Sequence, residues 1–253
     1  MRTPASQWRS LLAPGLAALF ALTVLIGLGT WQLQRKAWKE DLIARIAAGI
    51  HGEPGEILPE SAWSEWRAED DEFRRVRLSG TFLHEHEALV YGLASAQRGV
   101  PAQGFYLFTP LRLASGATVI VNRGFVPTEL RDPAFRPQSQ PPGEATVTGL
   151  VRAPQARAWF TPQDVPSENR WFTRDPGAIA AAKDLDRTAP FYVEADATAN
   201  PGGWPRGGQT PLSLPNNHLQ YAVTWFGIAL TLIGVFTAFA WGRLKGPGSA
   251  ELE

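Results

Sequence analysis

Two long stretches of this chain carry no charge, one near each end, and that feature limits the folds open to it more than any other. No Asp, Glu, Lys or Arg occurs between Arg9 and Arg35, and residues 11–33 read LLAPGLAALFALTVLIGLGTWQL. A helix rising about 1.5 Å per residue needs roughly 20 such residues to cross a hydrocarbon core about 30 Å thick. The stretch is long enough to span a bilayer. Residues 219–242, LQYAVTWFGIALTLIGVFTAFAWG, meet the same requirement, with Tyr221, Trp225 and Trp241 near the ends of the run where amphipathic rings settle. The first stretch is too long for the apolar core of a cleaved signal peptide. It ends in Trp31-Gln32-Leu33-Gln34-Arg35 rather than a site of small residues, so it is read as a retained anchor.

Orientation follows from Lys and Arg close to the spans. Arg243 and Lys245 follow the second span, while residues 207–221 before it hold no Lys or Arg. That end points its C-terminus to the cytoplasm. Arg2 and Arg9 precede the first span and Arg35, Lys36 and Lys39 follow it, so that end is ambiguous. Two spans return the chain to its starting side, and the clear end decides both. The expected layout is a cytoplasmic N-terminus (1–10), a transmembrane helix (11–33), an extracytoplasmic domain (34–217), a second transmembrane helix (218–242) and a cytoplasmic C-terminus (243–253). In a bacterium this is an inner-membrane protein with membrane lipid around its spans and a periplasmic domain.

Roughly 180 residues between the spans are enough for one domain with its own core. Zero formal net charge and a pI near 6.9 leave no electrostatic footprint for nucleic acid, which is not an expected partner. The absence of cysteine removes disulfides and thiolate chemistry.

After the first span, WKEDLIARIAAGI places Trp38, Leu42, Ile43, Ile46 and Ile50 at near-helical spacing, which extends the helix as an amphipathic segment until Gly52 and Pro54. A short helix carrying Trp63 and Trp66 is expected over residues 58–66. From Phe73 the period changes. FRRVRLSGTFL, ALVYGL, GFYLFTPLRL and ATVIVNRGFV read as strands divided by Gly-containing turns, with a hairpin loop at 113–117. RDPAFRPQSQPPGE (131–144) is a Pro-rich loop, ATVTGLVR another strand, and Asp175-Pro176 an N-cap pair opening a helix to about Asp184. PFYVEAD supplies a late strand, and a glycine-rich linker over 200–209 leads back to the membrane. The expected fold is a membrane protein whose two transmembrane helices flank a mostly antiparallel β domain of α+β type, which a barrel closure would relieve of exposed edges.

Four histidines carry most of the candidate chemistry. His84 and His86 in H-E-H would share one face of a strand, with Glu85 on the other. Without a third ligand nearby they read as a solvated strand or loop end rather than a metal site. His51 reads as a surface residue beside the Gly that ends the helix. His218 stands in LPNNHLQYAVTWF where the second span enters the bilayer, a depth at which an ionisable group is expected to have a partner or a task. A neutral imidazole there can ligate haem iron, with the macrocycle against Trp225, Phe226 and the first span. The pattern favours a plainer role at the headgroup interface, with Asn216 or Asn217 capping the helix. Arg123, in VIVNRGFVP, suits a carboxylate such as a haem propionate or, more commonly, loop carbonyls. Arg35 and Lys36 suit propionates or the bilayer interface. No nucleophile triad, phosphate-binding glycine loop or carboxylate cluster is present, and the chain is not expected to be an enzyme.

Taken together, LGTWQLQRKAWK, FRRVRLSGTF, GFYLFTPL followed by VIVNRGFVP, NRWFTRD, PFYVEAD and NNHLQYAVTWFGIAL resemble the surfeit locus protein 1 family in their order and spacing inside a chain with two terminal spans. The resemblance implies assembly of cytochrome c oxidase. It implies the oxidase catalytic subunit as partner, with haem a synthase as a further candidate partner, and haem a as cargo. It also reverses the preference at His218, which becomes the expected haem iron ligand, with Arg35, Lys36, Arg123 and Trp225 as further haem-binding candidates. One departure is Phe125, where the family commonly has Trp. Phe keeps the apolar ring and loses the indole donor.

Overall fold

A computed structural model describes residues 4–95, 101–208 and 215–245. The outer parts of the expected cytoplasmic ends, and Gln209 at the end of the linker, lie outside the described residues. In chain order the elements are α1 (Pro4–His51), β1 (Gly55–Glu56), α2 (Ala68–Asp71), β2 (Arg75–Phe82), β3 (Ala88–Ser95), β4 (Pro101–Leu113), β5 (Thr118–Pro127), β6 (Glu144–Arg152), β7 (Arg170–Trp171), α3 (Pro176–Ala182), β8 (Thr188–Ala195) and α4 (His218–Lys245). They form two compact units, residues 1–44 with 213–253, and residues 45–212.

The first unit is the helix pair. α1 continues without a break through the expected span and its amphipathic extension, and stops at His51 where Gly52 follows. A Cβ placed on Gly29 would lie 2.6 Å from the Phe226 ring, and one on Gly15 would lie 3.6 Å from Phe236. Residue numbers fall along α1 as they rise along α4, so the helices are antiparallel. Gly29, Ala222 and Ala229 are buried. Helices surrounded by lipid gain little from burying Leu against Leu and associate instead through small residues that let backbones approach. Only 6% and 11% of the most apolar windows of α1 and α4 are buried, which separates them from the core helices of a water-soluble domain. Leu16, Phe20 and Leu230 face outward, as lipid-contacting side chains do. Two membrane helices thus flank the β-rich unit.

The second unit is a closed five-stranded barrel. The ring runs β2–β6–β8–β5–β4 and closes where β2 returns to β4 through Gly80↔Leu113, Thr81↔Arg112 and Phe82↔Leu111. Closure removes the free edges that an open sheet would present. Every ring pairing is antiparallel except β5–β8, and β3 extends the sheet beyond β4 with β7 alongside it. On β2 the alternation is regular, with Val76, Leu78, Gly80 and Phe82 buried and Arg77, Ser79 and Thr81 exposed. β5 is different. Val119 and Val121 join Phe191 and Val193 in one core cluster, while Ile120 joins Tyr192, Phe108 and Trp171 in another. A strand covered on both faces reads as a continuous apolar run, which is why VIVNRGFV shows no period of two.

Connections fix the rest. The segment expected as a helix over 58–66 is a 3-10 helix, Glu60–Glu65, which brings Trp63 into the barrel cluster while its Nε1 donates to the Leu58 carbonyl at 2.9 Å. The hairpin between β4 and β5 turns at Gly116, whose φ of +83° suits glycine. Asp175 accepts from the Ala178 amide at 3.1 Å and caps α3, which ends at Ala182, two residues before the expected Asp184. The Pro-rich loop forms short 3-10 turns and is tied down by Arg136, whose guanidinium meets Glu87 at 2.5 Å and also binds the Leu130 carbonyl.

Candidate functional site

The helix pair holds four of the five side chains singled out from the sequence. His218 is the first residue of α4, and the Asn217 carbonyl before it accepts the first helical hydrogen bond, from Tyr221 N at 3.2 Å. The His218 ring is half-buried, and its Nδ1 lies 2.7 Å from Oε1 of Gln32 on α1. Ala222, Trp225 and Ala229 follow His218 at helical intervals on the same face of α4, and all are buried or half-buried. On α1, Arg35 and Lys36 lie about one turn beyond Gln32. The Arg35 guanidinium rests 4.2 Å from the Trp38 ring centre, and Lys36 Nζ reaches Glu40 at 2.7 Å. An exposed pair at this spacing is weak and easily exchanged for another anion.

Gln32 is the member of this group that sequence reasoning missed. A signal for it existed. Antiparallel spans place the start of the second level with the end of the first, so a polar residue closing the first uncharged run is the natural partner of one opening the second.

Arg123 belongs to the barrel unit. It lies on β5 with 3% exposure, donates through Nη2 to the Ser139 carbonyl, and stacks 4.7 Å above the Phe82 ring. Burial is the main reason its pKa falls to about 10, and neighbouring Arg136 pushes the same way against Glu87. Its Nη1 has no hydrogen-bond partner in the described structure, and the residue borders a cavity of about 200 Å³ shared with Thr146 and Thr148. The following Gly124 has a φ of +123°, and a Cβ there would fall 2.1 Å from the Arg206 carbonyl. The N-R-G sequence thus combines a buried cation with a backbone approach that only glycine permits. Phe125 is buried against Tyr106 at 5.6 Å, an apolar role for which an indole donor is unnecessary.

His84 and His86 do not share a strand face. They occupy a 3-10 turn, His84–His86, between β2 and β3, which begins just after Leu83 makes a last bond to the Pro110 carbonyl. Among the described residues no group of three His, Cys, Asp or Glu side chains is placed to hold a metal ion. His84 Nε2 donates to the Pro141 carbonyl at 3.2 Å. Burial lowers its pKa below 6.5 despite that bond, and the Arg123 charge adds to the lowering. The folded state therefore binds the His84 proton less readily than the unfolded chain. Its contribution to stability is complete above about pH 6.5 and is lost as pH falls through that value towards the lower folded one. Thermal unfolding midpoints between pH 7 and 5 should decline less steeply in His84→Gln than in the parent chain, and equal slopes would assign the acid sensitivity elsewhere.

A pair of antiparallel membrane helices joined by a polar contact, with a closed barrel inserted between them in sequence, defines a doubly anchored membrane protein with one β-rich domain. The SURF1 family matches residues 19–230. A SURF1-like protein of Monosiga brevicollis is 36% identical over 245 residues, covering 94% of this chain and 90% of the relative. Surfeit locus protein 1 of Homo sapiens is 34% identical over 257 residues (96% and 79%), and that of Rattus norvegicus 33% identical over 236 residues (89% and 73%). The chain belongs to the SURF1 family.

Proposed function

We propose that this protein is a non-enzymatic assembly factor for cytochrome c oxidase. In this reading it receives haem a from its synthase, holds it through His218, and passes it to the oxidase catalytic subunit in a respiratory membrane. That membrane is the inner membrane in a bacterium, with the barrel domain on its outer side and both termini in the cytoplasm. Family membership supports the oxidase role, and Arg243 beyond the second span supports the orientation.

The observation that carries the haem reading is the His218–Gln32 contact. Nδ1 is engaged by an amide oxygen, and no hydrogen bond involves Nε2 among the described residues. An imidazole held at one nitrogen and open at the other fits an axial ligand of haem iron. Trp225 supplies an apolar surface on the same helical face, and Arg35 and Lys36 supply cations for propionates. Arg123 holds the Ser139 carbonyl, and only its unpartnered Nη1 supports a role towards a carboxylate. Haem a is cargo here, so moderate affinity serves release to the oxidase.

In a host that makes haem a, the purified parent chain should carry a haem a spectrum. His218→Ala should lower occupancy by more than about tenfold, since even outer-shell changes at a metal site cost that much. Parent-like occupancy in the variant would overturn the assignment of His218.

A second reading, a haem-free chaperone that docks on the nascent oxidase subunit, draws on the loop tip at Trp159 and Phe160. These rings are 95% and 71% exposed and pack edge to face at 5.5 Å. Arg157 anchors the loop through Pro162 and Asp164. An exposed aromatic pair on an anchored loop suits a docking surface. Haem-free copurification with the oxidase subunit, lost in Trp159→Ser, would favour this reading.

A further inference from the structure

We propose that Gln32 is the positioning residue of His218, selecting its tautomer and aiming the Nε2 lone pair at the incoming ligand. This deepens the reading above, resting on it for the identity of the ligand and on the interhelical contact alone for the tautomer.

A carboxamide oxygen accepts hydrogen bonds and cannot donate them, so Oε1 of Gln32 at 2.7 Å requires the proton of a neutral His218 to sit on Nδ1. Nε2 is then left with its lone pair. An unrestrained imidazole prefers the opposite arrangement, with the proton on Nε2 and no lone pair there for a metal or a donor. The contact therefore reverses the intrinsic preference of the ring. The two residues are 186 positions apart in sequence and meet only because α1 and α4 are antiparallel. Close approach at Gly29, one turn before Gln32, sets the helix separation that brings the amide within reach. Held through Nδ1, the ring loses rotation about χ2, so the direction of Nε2 is fixed as well. Orientation and basicity are what outer-shell partners impart to a ligating histidine. Trp225 follows two turns on from His218 along the same face of α4 and is half-buried.

The tautomer can be read directly by two-bond ¹H–¹⁵N spectra of ¹⁵N-histidine-labelled full-length protein in detergent. The expected result is Nδ1–H for His218 in the parent chain, a shift towards Nε2–H in Gln32→Leu, and Nδ1–H again in Gln32→Glu, whose carboxylate is a stronger acceptor. Nε2–H in the parent chain overturns the inference without recourse to any variant, as does an unchanged tautomer in Gln32→Leu. Titration with ferric protohaem supplies the second measurement. Affinity should fall about 10- to 100-fold in Gln32→Leu and return to within a few fold in Gln32→Glu. If the tautomer responds as described but the parent chain and His218→Ala bind protohaem equally, the haem reading fails while the positioning role of Gln32 stands. If His218→Ala abolishes binding and Gln32→Leu changes neither tautomer nor affinity, the haem reading stands and this inference fails.

Discussion

Glu87→Ala should destabilise the barrel domain by about 3–5 kcal/mol, the usual consequence of removing one member of a buried ion pair. Glu87 and Arg136 are 6% and 2% exposed at their side chains and meet at 2.5 Å. Without the carboxylate, the guanidinium would keep only neutral acceptors, namely the Leu130 and Arg131 carbonyls and the Ser139 hydroxyl, while remaining cut off from water. A charge in that position is costly because neither solvent nor a counter-ion stabilises it. The same substitution frees the Pro-rich loop, since Arg136 lies within it. Denaturant unfolding of the full chain in detergent measures the effect. Pairing the change with Arg136→Met should recover much of the loss, because an apolar pair carries no stranded charge. A midpoint that Glu87→Ala leaves in place would show that the pair contributes nothing net.

Phe191→Ala should cost a similar amount, about 3–5 kcal/mol, by a different route. Phe191 is fully buried in the barrel cluster, with the Trp63 ring edge-on at 6.1 Å and Trp66 at 5.7 Å. Truncation removes a ring from the centre of a closed five-stranded cylinder, whose hydrogen-bonded wall cannot collapse to fill the space. Phe191→Leu should cost clearly less because most of the volume remains. The near-ultraviolet circular dichroism of the two tryptophans should weaken in the Ala variant. A loss below about 1 kcal/mol would mean that the wall relaxes around the cavity.

Apart from Arg123, which lies in the barrel unit, the residues of the proposed function and those of the stability changes belong to different parts of the molecule. Glu87, Arg136 and Phe191 belong to the barrel unit, and His218, Gln32, Arg35, Lys36 and Trp225 belong to the helix pair. Substitutions in the second group are read through ligand occupancy and the tautomer of one ring, so a loss there is separable from unfolding of the barrel.

By itself the sequence determined most of the elements and named most of the residues proposed for the site. Uncharged length against bilayer thickness is a local property, and it identified both spans. The spacing from Trp38 to Ile50 carried α1 to Gly52, and Asp175-Pro176 marked the start of α3. The strands, including GFYLFTPLRL and VIVNRGFVP, were legible from apolar runs and turn residues. His218 stood out because an ionisable group at a membrane boundary is uncommon. Tertiary structure alone decided which strands meet. The return of β2 to β4 and the parallel pairing of β5 with β8 depend on contacts between distant segments, about which a period of two is silent. It also moved His84 and His86 from a strand into a turn, joined Glu87 to Arg136 of the Pro-rich loop, and gave Arg123 a buried place against Phe82. Gln32 belongs with these. Its place at the close of the first uncharged run was legible, but only the antiparallel packing of α1 on α4 set its oxygen 2.7 Å from the ring of His218.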